Sequence, residues 1–392
     1  MNSFNLSFFP SPPLRTVLTV CAASYAAFQV VTILASLVPL MRTNPSPVAR
    51  RLIKTSKVKT KPLPRGVRRI YAGKPLNGQD CRIIEDDDES KWEYKIEILT
   101  NAGNNGPQNS PHLAPLVLLH GGMGSARCYD RWMEYLAAQG AREVFSISLR
   151  GHGNSTRPPY FTHLGKGAFA EDLHTALVAI SHYLNASPDS TSERPHPVLI
   201  GHSAGGGLSQ YYCSSPSFNP RLSALILIAP FPPSGGAPTF RNWVAFDRWF
   251  SLRFIWEGCD PMSAFGRPDL VKRAFFHDRK PLTRDDVHGE KGEESVQEFF
   301  EQMNPEENGA WSMSMMFKFA DVARVKASVH DKVHLITASH DRLMTPDIMS
   351  RVQKMYECEM DVVHDSGHHI MFDTHWEDGL RFLEARLTKW GL

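Results

Sequence analysis

The hydrophobic pattern from residue 92 onward alternates between short apolar runs and longer amphipathic stretches. Residues 92–99 alternate apolar and polar positions, which is typical of a strand. Residues 168–184 repeat apolar side chains at helical spacing, and residues 130–140 show a helical pattern that ends at a glycine. The other runs are continuously apolar, which indicates strands buried on both faces: residues 115–122, 142–153, 197–203, 222–230, 331–341 and 359–367. Strands alternating with helices predict an α/β fold with a mostly parallel central sheet flanked by helices.

One of these strand ends carries a serine between glycines. Ser203 ends the run 197–203, and Gly201 and Gly205 lie two residues before and after it. A serine attacks a carbonyl only if its oxygen projects into a cleft, and a sharp strand-to-helix turn projects it but crowds the backbone. The two glycines relieve that crowding, so we predict that Ser203 is a nucleophile, with an ordinary helix N-cap serine as the alternative.

The glycines after the strand of residues 115–122 indicate a site for a developing negative charge. An oxyanion needs backbone N–H groups that are not used in secondary structure, and glycines just beyond a strand end can present them. We predict Gly122 and Ala204, the residue after the serine, as the two donors. A plain glycine turn is the alternative.

An acid and a base follow two later strands. Asp341 comes after one buried strand and His368 after the next, so the chain order is Ser, Asp, His, which suits a nucleophile on a strand–turn–helix. We predict that His368 is the base and Asp341 the acid. His369 is the second candidate for the base, and Asp365 and Asp331 are weaker candidates for the acid.

The histidines near the end of the chain also raise the question of a metal. No HExxH or facial carboxylate pattern accompanies them, so we predict no metal site and no cofactor. The histidines considered are His364, His368, His369 and His375.

Five motifs together resemble the α/β-hydrolase superfamily, over roughly residues 92–390: HGGMG, LRGHGNS, GHSAGG, SHDRLMTP and SGHHIMFD. The resemblance implies a triad in which Ser203 attacks, His368 is general base and then general acid, and Asp341 orients His368. It also implies structural rather than catalytic roles for three further residues, Arg150, His152 and Asp172.

The resemblance further implies a helical cap inserted after the sixth core strand. We expect this cap at residues 231–320, between the two parts of the core at 92–230 and 321–392. The segment is rich in Trp, Phe and Met, side chains that accommodate long apolar ligands. We therefore expect an apolar or lipid-like substrate, as in a lysophospholipase or monoacylglycerol lipase.

The N-terminal part of the chain has a different composition. The 26 residues between Arg15 and Arg42 are uncharged, which is long enough for a membrane-spanning helix. We predict an anchor or leader at 1–43, a basic, Pro-rich linker at 44–91 and a single-pass protein with its catalytic domain in the cytosol. A mitochondrial leader and a secretory signal are the alternatives.

Taken together, the residues predict a serine hydrolase that cleaves a carboxylic ester through an acyl-enzyme. An acyltransferase with the same three residues and a non-catalytic binding protein with this fold stay open. The net charge of +2 over 392 residues argues against nucleic acid as a partner. The sequence sets no oligomeric state.

Overall fold

The computed structural model describes residues 46–76, 80–84, 91–103, 112–186, 194–277 and 292–392. Within these ranges the centre of the molecule is a nine-stranded sheet. Its strands are β1 (Arg68–Pro75), β2 (Arg82–Ile84), β3 (Trp92–Thr100), β4 (Leu116–Leu119), β5 (Val144–Ile147), β6 (Val198–His202), β7 (Ala224–Ile228), β8 (Val333–Ala338) and β9 (Met360–Val363).

The strand order is β2-β1-β3-β5-β4-β6-β7-β8-β9. The strands from β4 to β9 pair in parallel, whereas β1, β2 and β3 join the sheet through antiparallel pairs. The predicted mostly parallel sheet is therefore confirmed. Because the parallel strands end at one edge, the segments after β4, β6, β8 and β9 all meet there.

Helices cover both faces of the sheet. They are α1 (Pro47–Thr55), α2 (Asp130–Gln139), α3 (Lys166–Asn185), α4 (Ser203–Ser214), α5 (Ala237–Phe246), α6 (Phe250–Trp256), α7 (Pro268–Phe275), α8 (Gly292–Gln302), α9 (Gly309–Met313), α10 (Val322–Ser328), α11 (Pro346–Tyr356) and α12 (Trp376–Trp390). The apolar sides of α3 and α4 pack into one core, and those of α2 and α12 into a second core. The patterns at 130–140 and 168–184 thus correspond to α2 and α3.

Helices α5 to α10 lie between β7 and β8. β7 is the sixth strand along the chain when the three-residue edge strand β2 is left out of the count. The insertion therefore follows the strand that the resemblance implies. The division of the chain into core and cap stays a prediction.

Part of the stretch that we predict to be a linker belongs to the sheet. β1 lies within residues 44–91 and pairs along its whole length with β3. Ile70 and Ala72 of β1 are buried, while Arg69 forms an ion pair with the buried Glu97 of β3 at 2.6 Å. The linker prediction is wrong for these residues, because they form a strand of the sheet and Arg69 has its partner on the neighbouring strand.

The predicted membrane location also needs correction. No helix in the described part of the chain is long and apolar enough to cross a bilayer. This finding contradicts the predicted single-pass protein with a cytosolic catalytic domain, and it gives no support to the membrane as a partner. The predicted anchor or leader, residues 1–43, lies outside the described residues.

Candidate active site

Ser203 lies at the turn between β6 and α4. Its φ of +52° is in the left-handed region, where a residue with a side chain is strained. This backbone conformation turns the chain sharply from strand to helix, as the glycines two residues before and after Ser203 predict. Ser203 is 8% exposed at the edge of the sheet where the parallel strands end.

Gly201 and Gly205 allow the tight contacts around this turn. A Cβ atom at Gly205 would lie 2.1 Å from the carbonyl oxygen of His120, and one at Gly201 would lie 2.8 Å from the Cα of Gly206. Real Cβ atoms do not approach backbone so closely, so both positions require glycine. Both glycines thus occupy the places that the motif predicts for them.

His368 bridges Ser203 and Asp341. Its Nε2 lies 2.9 Å from the Oγ of Ser203, and its Nδ1 lies 2.7 Å from Oδ2 of Asp341. Asp341 can only accept at this contact when ionised, so Nδ1 carries the proton and Nε2 accepts from the serine hydroxyl. The structure thus brings the three predicted residues into one hydrogen-bonded chain, 165 and 27 residues apart along the sequence.

The second oxygen of Asp341 is also bound. The backbone N–H groups of Leu343 and Met344 donate to Oδ1, each at 2.8 Å. Asp341 is 3% exposed and His368 is 1% exposed. The carboxylate is therefore held in one orientation against His368.

The loop that carries His368 is held by an aspartate that the sequence did not single out. Oδ2 of Asp373 accepts hydrogen bonds from the N–H of Gly367 at 2.6 Å and from the hydroxyl of Ser366 at 3.2 Å. On the other side, Nε2–H of His202 donates to the carbonyl oxygen of His368 at 3.0 Å. In the sequence, the one feature that could have pointed to Asp373 is its position five residues beyond His368.

The weaker candidates lie elsewhere. His369 packs against Phe299, with ring centroids 4.5 Å apart, and burial lowers its pKa to about 3. The backbone N–H of His369 donates to the carbonyl oxygen of Phe275 at 3.0 Å. Asp365 follows β9 and its N–H bonds to Ser339, whereas Asp331 precedes β8 and is exposed. Neither aspartate forms the contact with His368 that Asp341 makes.

The glycine-rich loop after β4 lies against the serine. A Cβ at Gly121 would be 2.9 Å from the Cβ of Ser203. The N–H of Leu149 donates to Nε2 of His120 at 3.1 Å, so Nδ1 of His120 bears the proton and donates to the carbonyl oxygen of Gly121 at 2.7 Å. Burial holds the pKa of His120 well below its usual value, which keeps this ring neutral.

This bond orients the first predicted oxyanion donor. In a trans peptide the N–H points opposite to the carbonyl oxygen, so the N–H of Gly122 points away from His120. The second predicted donor, Ala204, belongs to the first turn of α4, whose N–H groups have no partner within the helix. Gly122 thus directly follows Gly121, which packs against Ser203, and Ala204 directly follows Ser203 at the helix N-terminus.

Of the three residues expected to be structural, His152 lies next to His120, and Arg150 and Asp172 pair with each other. Arg150 donates from its backbone to Asp172 at 3.0 Å, and its guanidinium bonds to the same carboxylate. Both side chains are buried. His152 is completely buried, with its ring centroid 4.9 Å from that of His120.

One cluster in the described part of the chain could in principle hold a metal. His277, His340 and Asp365 have ligand atoms within 4.8 Å of one another. The two imidazole rings are, however, tilted by 35° to each other with their centroids only 3.7 Å apart. Two histidines bound to one tetrahedral zinc ion at about 2 Å would have centroids roughly 5 Å apart, so the short distance between these rings does not fit shared ligation.

Comparison with known proteins supports the same fold. A family model described as "Alpha/beta hydrolase family" matches residues 116–381. A proline iminopeptidase of Lactobacillus delbrueckii subsp. lactis is 32% identical over 99 residues, which are 25% of this chain. This stretch spans only 30% of that enzyme, and two further proline iminopeptidases of L. delbrueckii subsp. bulgaricus match over the same length.

Solved structures show a likeness in fold. A thermophilic esterase from Thermogutta terrifontis has a TM-score of 0.53 at 16% identity and covers 82% of this chain and 99% of its own. A carboxylesterase structure from Nitrososphaera gargenis has a TM-score of 0.52 at 18% identity, covering 78% and 98%. A bromoperoxidase from Bacillus anthracis has a TM-score of 0.52 at 18% identity, covering 81% and 99%.

Proposed function

Because the chain belongs to the α/β-hydrolase family, as the sequence resemblance predicts, we propose that it is a serine hydrolase that cleaves carboxylic esters through an acyl-enzyme. Family membership supports a hydrolase. The observation that carries the finer proposal is the contact chain from Ser203 Oγ through His368 to Asp341, with distances of 2.9 and 2.7 Å. It presents a nucleophile, a base and an orienting carboxylate in the order that acyl transfer requires.

The proposed reaction proceeds in two halves. Ser203 Oγ attacks the ester carbonyl carbon while its proton passes to Nε2 of His368, and the carbonyl oxygen becomes an oxyanion between the N–H groups of Gly122 and Ala204. The intermediate then expels the alcohol, which takes the proton from His368, and leaves an acyl-serine. Water repeats the attack, with His368 as base again, and releases the acid and free Ser203.

We propose that the substrate is apolar. The ring of Phe275 stacks on that of His368, with centroids 5.8 Å apart. A Cβ at Gly207, one helical turn beyond Ser203, would lie within 3.4 Å of Phe231, Met315 and Phe319. The surroundings of the serine are thus built from aromatic and methionine side chains, which favour a hydrocarbon acyl chain over a charged one.

Phe275, Met315 and Phe319 belong to the insertion between β7 and β8. We propose that residues 231–320 form a cap over a core made of 92–230 and 321–392. In this arrangement the core supplies the reacting groups and the cap supplies the apolar wall. Such a division explains why the polar contacts of the site follow strand ends while the aromatic ones do not.

The experiment labels the full-length protein with a fluorophosphonate probe and assays p-nitrophenyl esters of increasing acyl length. We expect the wild type to be labelled and Ser203→Ala to be unlabelled, with turnover that is highest for medium or long acyl chains. The matched control is Ser217→Ala, in the loop after α4, which should be labelled like the wild type.

A wild type that takes no label would overturn the enzyme proposal and favour a non-catalytic binding protein. Preference for acetate over longer acyl chains would overturn the apolar substrate. An acyltransferase uses the same three residues, so the products are also analysed with an added acceptor alcohol. If more acyl groups were transferred to the alcohol than to water, the proposal of a hydrolase would be overturned in favour of an acyltransferase.

A further inference from the structure

A buried carboxylate from the insertion lies against the glycine-rich loop. Glu307 follows α8 and precedes α9, and its side chain is 2% exposed. One of its oxygens accepts a hydrogen bond from the backbone N–H of Met123. The other accepts from Nε1–H of Trp311 at 3.1 Å and from the N–H of Asn308 at 2.6 Å. A buried carboxylate with this many donors holds a fixed position.

Asn304, three residues earlier, binds the same loop from the other side of Met123. Its N–H donates to the carbonyl oxygen of Met123 at 2.9 Å. Its side chain accepts from the N–H of Gly153 at 3.2 Å and donates to the carbonyl oxygen of Gly151 at 3.0 Å. Asn304 is 2% exposed, so these bonds are shielded from water.

The ring of His152 also faces the carboxylate of Glu307. Nδ1 of His152 lies 3.1 Å from the carbonyl oxygen of Arg150, and Nε2 lies 3.3 and 3.4 Å from the two oxygens of Glu307. Both ring nitrogens thus lie near an oxygen, and the ring is a further contact that fixes the carboxylate of Glu307.

The loop is therefore held from two sides. The peptide between Gly121 and Gly122 is held by His120 in the core. The next peptide, between Gly122 and Met123, is held through its N–H by Glu307, and the carbonyl of Met123 is held by Asn304. Met123 has a φ of +58°, a strained conformation that persists only when surrounding contacts impose it.

We propose that Glu307 and Asn304 are positioning residues that set the Gly122 N–H for the oxyanion, so that the donor pocket is complete only when the segment from Asn304 to Trp311 is seated. The inference rests on the proposed function, because it assigns these residues to the same reaction. Neither residue touches the reacting atoms. They act through the backbone of Met123 on the geometry of its neighbour.

The test compares Glu307→Gln with Glu306→Gln in the full-length protein. The two residues are adjacent in the sequence, but the carboxylate of Glu306 bonds to Arg157, at 2.7 and 2.8 Å, instead of to Met123. Glutamine has the shape of glutamate but cannot accept from donors on both sides at once. With p-nitrophenyl octanoate, we expect Glu307→Gln to lower kcat about 10- to 100-fold, because small misplacement of a reacting group has effects of that order. KM should change less than about threefold, and Glu306→Gln should match the wild type.

A second readout separates positioning from general structural damage. Ser203 Oγ can attack the carbonyl carbon of an octyl trifluoromethyl ketone. The serine proton then passes to His368, and the ketone oxygen becomes an oxyanion. The corresponding secondary alcohol has no carbonyl and cannot be attacked. Glu307→Gln should weaken inhibition by the ketone in proportion to its loss of kcat, and leave inhibition by the alcohol unchanged. If Glu307→Gln does not fold, Trp311→Phe is tested in its place, because it removes one donor to the same carboxylate. We expect it to change kcat and the binding of the two inhibitors in the same directions.

Equal kcat values for Glu307→Gln and Glu306→Gln would overturn the inference. Equal losses of ketone and alcohol binding would also overturn it, because they would make Glu307 part of the substrate pocket. Absence of fluorophosphonate labelling in the wild type would instead overturn the proposed function itself. The two failures are therefore distinguishable.

Discussion

The two sides of the site are built in different ways. On the core side, Ser203, Asp341 and His368 each follow a parallel strand, and the groups that hold them are mostly a few residues away, as Leu343 and Met344 are from Asp341. On the cap side, Glu307 reaches Met123 across 184 residues and Asn304 reaches Gly151 across 153. In the proposed reaction, the reacting groups are thus positioned by local turns, whereas the alignment of the glycine-rich loop that would bind the oxyanion depends on long-range contacts.

The largest effect that sharpens this comparison concerns the core side. Asp341→Asn keeps the shape of the side chain but removes the charge that orients His368, and we expect kcat to fall by about 10⁴-fold. The measurement is ester hydrolysis at saturating substrate, with thermal unfolding as a check on the fold.

Asp365→Asn is the control, because Asp365 lies on the neighbouring loop after β9 and does not form the contact with His368 that Asp341 makes. We expect it to stay within about twofold of the wild type. If the two variants lost activity equally, the contact between Asp341 and His368 would not be the one that matters, and the core side would not be set by strand ends alone.

A second prediction compares two glycines of α4 that face opposite sides of the site. Gly205→Ala places a Cβ 2.1 Å from the His120 carbonyl of the core, so we expect a loss of more than about 3 kcal/mol in the free energy of unfolding, together with loss of activity. Gly207→Ala meets the cap residues Phe231, Met315 and Phe319 at 3.0 to 3.4 Å. Side chains can yield and Ala favours the helix by about 1 kcal/mol, so the net change should stay within about 1 kcal/mol.

Urea unfolding of the two variants and the wild type measures both changes. A Gly207→Ala variant as unstable as Gly205→Ala would show that the cap side is as unyielding as the core. That result would remove the distinction between the two sides.

The third and smallest effect is a pH dependence at the boundary between core and cap. Burial lowers the pKa of His369 to about 3, below the value of about 6.5 in the unfolded chain. The unfolded state therefore binds more protons between these values, so stability falls as the pH falls through that window. His369 alone should remove about 2 kcal/mol between pH 7.5 and pH 5.

Urea unfolding at pH 7.5 and pH 5 tests this expectation, with His369→Asn expected to lose about 2 kcal/mol of the difference. His375→Asn, which makes the same substitution at a partly exposed histidine, is the control for the substitution itself. An unaltered pH difference in His369→Asn would place the acid sensitivity elsewhere. His120 and His202, whose pKa values burial also holds well below the usual value, would then be examined in the same way.

The sequence pattern predicts the core side well because its signals are local. Buried strands appear as apolar runs, and Ser203, Asp341 and His368 can be recognised by their positions just beyond three of them. His368 and His369 are adjacent, so the hydrophobic pattern does not distinguish their roles. In the structure the ring of His368 lies against Ser203, and the ring of His369 lies against Phe299.

The cap side and the first two strands could not be predicted in this way. Asn304 and Glu307 lie in a polar stretch that has the pattern of an ordinary loop. The hydrogen bonds that give them a role are made with backbone groups far away in the sequence. β1 was missed because its arginines and lysine are typical of a solvated linker. In the folded chain Arg69 instead lies against Glu97, so the charge pattern takes its meaning from the neighbouring strand.

The pairing of β1 with β3 has a practical consequence for recombinant work on this protein. A chain shortened to begin at residue 92 would retain every residue proposed to react, yet it would uncover the hydrogen-bonding edge of a nine-residue strand. An uncovered edge of this kind recruits strands from other molecules and promotes aggregation. Expression should therefore begin before Arg68, so that the sheet keeps its own outer strands.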